Sequence, residues 1–163
     1  GGGSTFWFTV LLEHAPKAEA LPAATPGPDL PARLPRYPDK RVLVVEDNAV
    51  NRIVIHELLA SGLGVQVSEA ENGEAALALC RDTVFDLVLM DVQMPGIDGL
   101  ETTRQLRQLE HYRDVPIYAL SANVRTEDVH DCLSAGMNGH LGKPIMLETL
   151  AGALISAWGQ PAA

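Results

Sequence analysis

From about Arg41 onward, short apolar runs alternate with amphipathic stretches, the pattern expected of strands in a parallel sheet separated by covering helices. Strands are expected at Arg41–Val45, Val65–Ala70, Asp86–Met90, Ile117–Ser121 and, shorter, Gly139–Leu141. Between them the spacing becomes helical. Ala49–Leu63 puts Val50, Ile53, Val54 and Leu58 on one face, and Gly73–Arg81 does the same for Ala76, Leu77 and Cys80. Gly99–Leu109, Thr126–Ala135 and Met146–Trp158 complete five helices. Asn48, Asn72 and Thr126 stand where an N-cap is needed, and Gly62, Gly64 and Gly136 where a helix would stop. This alternation implies an α/β fold, a doubly wound five-stranded parallel sheet with five helices, whose ligand site lies at the carboxyl ends of the strands.

That rule turns strand ends into a candidate site. Glu46-Asp47 follow the first strand, Asp91 the third, Ser121 ends the fourth, and Lys143-Pro144 follow the fifth. Carboxylates converging in one crevice raise each other's proton affinity unless a cation sits among them. All-oxygen donors suit Mg²⁺, which keeps several waters and leaves positions open for phosphate oxygens. Lys143 would add a positive charge and Ser121 a hydroxyl donor toward an incoming phosphoryl group. Under those conditions a carboxylate can act as nucleophile at phosphorus, and Asp91 is placed to do so. Pro95, Gly96 and Gly99 make the tight loop that keeps it accessible.

The acidic excess, 21 residues against 12 basic ones, would repel a nucleic-acid backbone. Phe6–Leu12 is far shorter than the roughly 18 residues of a membrane span, so no membrane contact by this segment is expected. Cys80 and Cys132 have no metal-ligand spacing and read as reduced, partly buried small apolar residues, which fits a cytoplasmic setting. Prolines at 16, 22, 26, 28, 31, 35 and 38 mark residues 13–40 as a semi-extended linker. The domain proper is expected over 41–158, with a short tail at 159–163.

Four blocks, VLVVEDNAVNR, DLVLMDVQMPGIDGLE, ALSAN and GHLGKPI, resemble in order and spacing the diagnostic segments of the response-regulator receiver family. The resemblance runs from about Arg41 to Trp158 and implies a flavodoxin-like sheet of order 2-1-3-4-5. It implies that Asp91 is the phosphoacceptor, that Asp47, Asp91 and the Gln93 carbonyl ligate Mg²⁺ directly, and that Glu46 does so through water. Ser121 and Lys143 would contact the phosphoryl group, Gln93 and Asn123 would tune its lifetime, and Lys143-Pro144 would be cis. At the position of the family's switch aromatic this chain has His140, so an imidazole would take that part and make switching pH-dependent. The implied partners are a histidine-kinase phosphodonor domain or a histidine phosphotransfer protein. Output would be by protein contact or onward phosphotransfer.

At the amino terminus, Gly3-Ser4-Thr5-Phe6-Trp7-Phe8-Thr9-Val10 resembles the last glycine box and closing strand of a histidine-kinase ATP-binding domain. Residues 1–12 are therefore read as a remnant of that strand and the parent as a hybrid sensor histidine kinase, free to be anchored in the inner membrane. This segment carries no kinase core of its own. An aspartyl phosphohydrolase would place a second Asp where Gln93 stands, and a nucleotide-binding protein would need a glycine-rich loop after the first strand. A receiver-like module working without phosphate would have lost an acid, the hydroxyl or the lysine. His56-Glu57 echoes a kinase phosphodonor pair but lies in the first receiver helix, an exposed face suited to docking a phosphodonor.

Overall fold

The computed structural model describes residues 34–122 and 126–161, the side chains of residues 126–128 excepted. In chain order it contains β1 (Arg41–Val45), α1 (Ala49–Glu57) running on into a π-helical turn (Leu58–Leu63), β2 (Gln66–Ala70), α2 (Gly73–Asp82) and β3 (Leu87–Asp91). Then follow α3 (Gly99–Leu106), a short 3-10 turn (Glu110–Tyr112), β4 (Ile117–Ser121), α4 (Thr126–Ser134), β5 (Gly139–Gly142) and α5 (Leu147–Trp158). All strand pairs are parallel, in the order β2-β1-β3-β4-β5. The expected fold and strand order are thus met, with boundaries shifted by a residue or two.

Strand alternation divides the core in two. Val42, Val44, Leu87, Leu89, Leu120 and Leu141 face α1, its π turn and α5. Leu43, Val45, Val88, Met90, Ile117 and Ala119 face α2, α3 and α4, where Ala76, Cys80, Leu106 and Cys132 close the layer. Both cysteines are thiols and both are buried, more fully than the partial burial expected of them. From β1 the chain goes to β2 on one side and, by way of α2, to β3 on the other. The crevice opens at that switch, at the carboxyl ends of β1 and β3.

Asn48 caps α1 by accepting hydrogen bonds from Val50 N and Asn51 N, and Asn72 caps α2 through Ala75 N. Gly64 (φ 67°) ends the π turn and Gly136 (φ 99°) follows α4, both in left-handed conformations that glycine adopts without strain. Gly62 does not end the helix but lies inside the turn, where an added Cβ would come within 2.6 Å of Leu147 Cδ1.

Two further expectations need correction. Of the apolar face read for α1 only Leu58 packs on the core: Val50, Ile53 and Val54 are 68%, 61% and 48% exposed, while Ile55, Leu59 and Leu63 carry the burial. Nor does the linker run to Lys40, because the stretch from Leu34 already packs on the domain. Tyr37 is buried, donates from its hydroxyl to Gly159 O at 2.7 Å, and meets Trp158 edge-on at 5.1 Å. Lys40 pairs with Asp86 at 2.9 Å and lies over the Trp158 ring. The remnant strand at 1–12 and the linker as far as residue 33 lie outside the described residues. No helix of the described residues is long and apolar enough to cross a membrane.

Candidate functional site

Glu46, immediately after β1, is 1% exposed, a burial that a carboxylate tolerates only with partners. Its Oε1 accepts from Asn51 Nδ2 at 2.7 Å. Its Oε2 lies 2.7 Å from Lys143 Nζ, an ion pair. Asp47 is exposed at the rim. Asp91, the last residue of β3, is 4% exposed; Oδ1 accepts from Gln93 N at 3.1 Å and Oδ2 from Lys143 Nζ at 2.7 Å. One carboxylate oxygen from each of Glu46, Asp47 and Asp91 lies within 4.8 Å of the others.

Lys143 reaches this cluster because β5 ends beside β4: its backbone N donates to Ser121 O at 2.8 Å. The Lys143-Pro144 bond is cis, as expected. Gly99 is required for a different reason, since a Cβ there would stand 2.1 Å from Asp91 O. Its own N–H donates to Val92 O at 3.1 Å and folds the loop back under the strand end.

Burial is the main cause that raises the Asp91 pKa, and the Glu46 charge adds to it, against the hydrogen bonds from Lys143 and Gln93. Burial also opposes the charge on Lys143, but hydrogen bonding and attraction to Asp91 and Glu46 outweigh it and raise that pKa, so the lysine is an ammonium at neutral pH. Three carboxylates facing one ammonium leave two negative charges in excess when all are ionised. The all-oxygen donor set of the three converging carboxylates and this charge excess fit a hard divalent cation with its waters. The chemistry open to such a crevice is the binding of an anionic group at Asp91, between a cation and the Lys143 ammonium.

Of the residues singled out from sequence, Glu46, Asp47, Asp91 and Lys143 come together, and Gln93 joins them through its backbone N–H on Asp91. Ser121 stands at the adjoining strand end. His140 is half-buried in β5, paired in register with Ala119, and makes none of these contacts. Asn123 lies outside the described residues. Sequence reasoning missed Asn51 and Arg52. Arg52 donates to Glu46 O at 2.7 Å and Asp47 O at 3.1 Å. Both stand in the quoted VEDNAVNR block, and their place one turn along a helix starting at the acidic pair was the available signal.

The fold and crevice define a phosphoacceptor-type doubly wound domain, and comparison with known proteins gives the family: the response regulator receiver domain model matches residues 42–155, and the chain belongs to that family. Sensor histidine kinase AruS of Pseudomonas aeruginosa is 41% identical over 156 residues, 94% of this chain and 14% of that protein. Aerobic respiration control sensor protein ArcB of Escherichia coli is 38% identical over 160 residues, 97% of this chain and 19% of that protein. The chain therefore spans under a fifth of the length of these relatives. Among solved structures, the receiver domain of a Pseudomonas aeruginosa sensor histidine kinase is 40% identical with a TM-score of 0.69, covering 74% of this chain and 98% of that one. It is described with magnesium coordinated in its active-site cleft. A Vibrio cholerae chemotaxis protein gives a TM-score of 0.70 at 30% identity, over 72% of this chain and 98% of its own.

Proposed function

We propose that this receiver takes a phosphoryl group from a phosphohistidine onto Asp91 in a two-component phosphorelay. The observation that carries the reading is the Asp91 carboxylate, held 2.7 Å from the Lys143 ammonium at a strand end and flanked by Glu46 and Asp47. An Asp91 oxygen attacks phosphorus, the P–N bond breaks, and the donor imidazole leaves with the bonding electron pair as a neutral ring, its other nitrogen keeping its proton. Lys143 offsets charge on the phosphoryl oxygens and Ser121 donates its hydroxyl to one of them. Held by Asp47, Asp91 and the Gln93 carbonyl, with Glu46 reached through water, Mg²⁺ would supply the remaining positive charge.

The exposed apolar stripe Val50, Ile53 and Val54 supports a protein donor. It borders a groove lined by Asn51, Val54, Ile55, Lys143, Pro144 and Ile145, so a helix seated there brings its histidine to the crevice. The similarity to sensor kinases supports a hybrid kinase parent; this reading puts the domain on the cytoplasmic side, with a kinase or histidine phosphotransfer domain as donor. The test is intact mass after incubation with a small-molecule phosphodonor, with and without Mg²⁺. A Mg²⁺-dependent gain of one phosphoryl group, lost in Asp91→Asn, is expected; a gain that survives Asp91→Asn refutes the assignment.

A further inference from the structure

Arg52 takes no part in the chemistry above, yet its side chain spans the support of the acidic loop. NH1 donates to two successive main-chain carbonyls, Glu46 O at 2.7 Å and Asp47 O at 3.1 Å. Nε lies 3.5 Å from Glu69 Oε2 on β2, and Glu69 Oε1 is 2.6 Å from His56 Nδ1 one helical turn further along α1. The arginine side chain is 17% exposed, so its geometry is held by packing as well as by hydrogen bonds. The loop it grips leaves β1 with Glu46 N bonded to Ala70 O at 3.1 Å and enters α1 two residues later. Those two residues are carboxylates of the crevice, and among the described residues Arg52 is the side chain that donates to both of their carbonyls.

We propose that Arg52 is a positioning residue for cation binding: by gripping the Glu46 and Asp47 carbonyls, with Glu69 as its anchor, it fixes the directions in which the two carboxylates project. The proposal rests on the reading of the crevice as a Mg²⁺ site. Its sign separates it from a charge effect. A guanidinium near a cation site repels the cation, so a bystander arginine would weaken Mg²⁺ binding and its removal would tighten it. A positioning arginine gives the opposite result, because outer-layer partners of metal ligands are worth 10- to 100-fold in affinity. The grip here is on ligand backbones rather than ligand side chains, which argues for the low end.

The experiment is calorimetric titration of the full chain with Mg²⁺ alone, on the unaltered protein, Arg52→Met and Arg52→Lys, each checked for thermal unfolding without Mg²⁺. Expected is an affinity about 10-fold weaker in Arg52→Met and a smaller loss in Arg52→Lys, which keeps the charge but loses the planar fork. An Arg52→Met variant that is folded and binds Mg²⁺ as tightly as the parent, or more tightly, overturns the proposal. If Arg52→Met does not fold, Arg52→Lys decides, because unchanged affinity at conserved charge refutes positioning. An unaltered chain that binds no Mg²⁺ would overturn the metal-site reading and this proposal with it, whereas normal Mg²⁺ binding without phosphorylation strikes only at the phosphoacceptor role.

Discussion

Replacing Lys143 by Met removes the single ammonium that serves both Asp91 and Glu46, each at 2.7 Å, and leaves two buried carboxylates facing one another. Removing one partner of a fully buried ion pair costs roughly 3–5 kcal/mol, and an exposed pair under about 1 kcal/mol. The Lys143 side chain is 20% exposed, and Glu46 and Asp91 retain Asn51 Nδ2 and Gln93 N as donors, so a loss of about 2 kcal/mol is expected at pH 7. For a domain of this size that is a fall of about 8 °C in Tm. The pH dependence carries the sign. Burial first, and the Glu46 charge with it, raise the Asp91 pKa, so the folded state holds that proton more tightly than the unfolded chain. Stability tied to Asp91 is therefore present at low pH and lost as pH rises through the carboxylate range. Without the ammonium this loss deepens. The gap between Lys143→Met and the unaltered protein should thus be widest near neutrality and close toward pH 4, and Mg²⁺ should narrow it at pH 7. Urea unfolding at a series of pH values reads this directly. A gap that is absent at neutrality, or the same at pH 4 as at pH 7, would refute the view of Lys143 as the crevice's counter-charge.

Lys143 predicts a second effect: its pKa is raised from 10.5, so its contribution is complete below that value and should disappear as pH rises through the folded-state value above it. Tyr37→Ala should cost about 3 kcal/mol in urea unfolding and Tyr37→Phe about 1: both lose the hydrogen bond to Gly159, and only Ala also loses the buried ring and its edge contact with Trp158. Gly99→Ala should displace the Asp91 end of β3, because its Cβ would fall 2.1 Å from Asp91 O; phosphorylation by a small donor should drop sharply with stability. Ile53→Ser, on a side chain 61% exposed, should alter stability by less than about 0.5 kcal/mol and leave small-donor phosphorylation intact. Phosphotransfer from a protein donor should nevertheless slow, and unchanged transfer would remove that face from the docking surface.

Most of the architecture was legible because parallel strands announce themselves as apolar runs, and the site because strand ends in such sheets converge. Glu46, Asp47, Asp91 and Lys143 could be assembled on that rule alone. The α1 stripe shows the limit. Periodicity reveals that Val50, Ile53 and Val54 share a face, but not which face the sheet covers, and the core took Ile55, Leu59 and Leu63 instead. Residues 34–40 were misread because prolines at 35 and 38 disfavour helix, whereas an extended strap held by Tyr37 needs none. Asn51 and Arg52 escaped because a residue that grips a backbone leaves no signature in spacing.

Trp158 donates from Nε1 to Asp86 O at 3.3 Å, where β3 is about to begin, whereas Asp91 stands at that strand's other end, about 17 Å away at strand rise. Its indole is thus a built-in fluorophore on the far pole from the chemistry. Mg²⁺ entering the crevice is too distant to quench it by contact, and emission should follow the undocking of the Tyr37 strap instead. With Trp7 replaced by Phe, one optical channel would then report the strap while calorimetry or mass reports the crevice, giving two independent views of opposite ends of the same sheet.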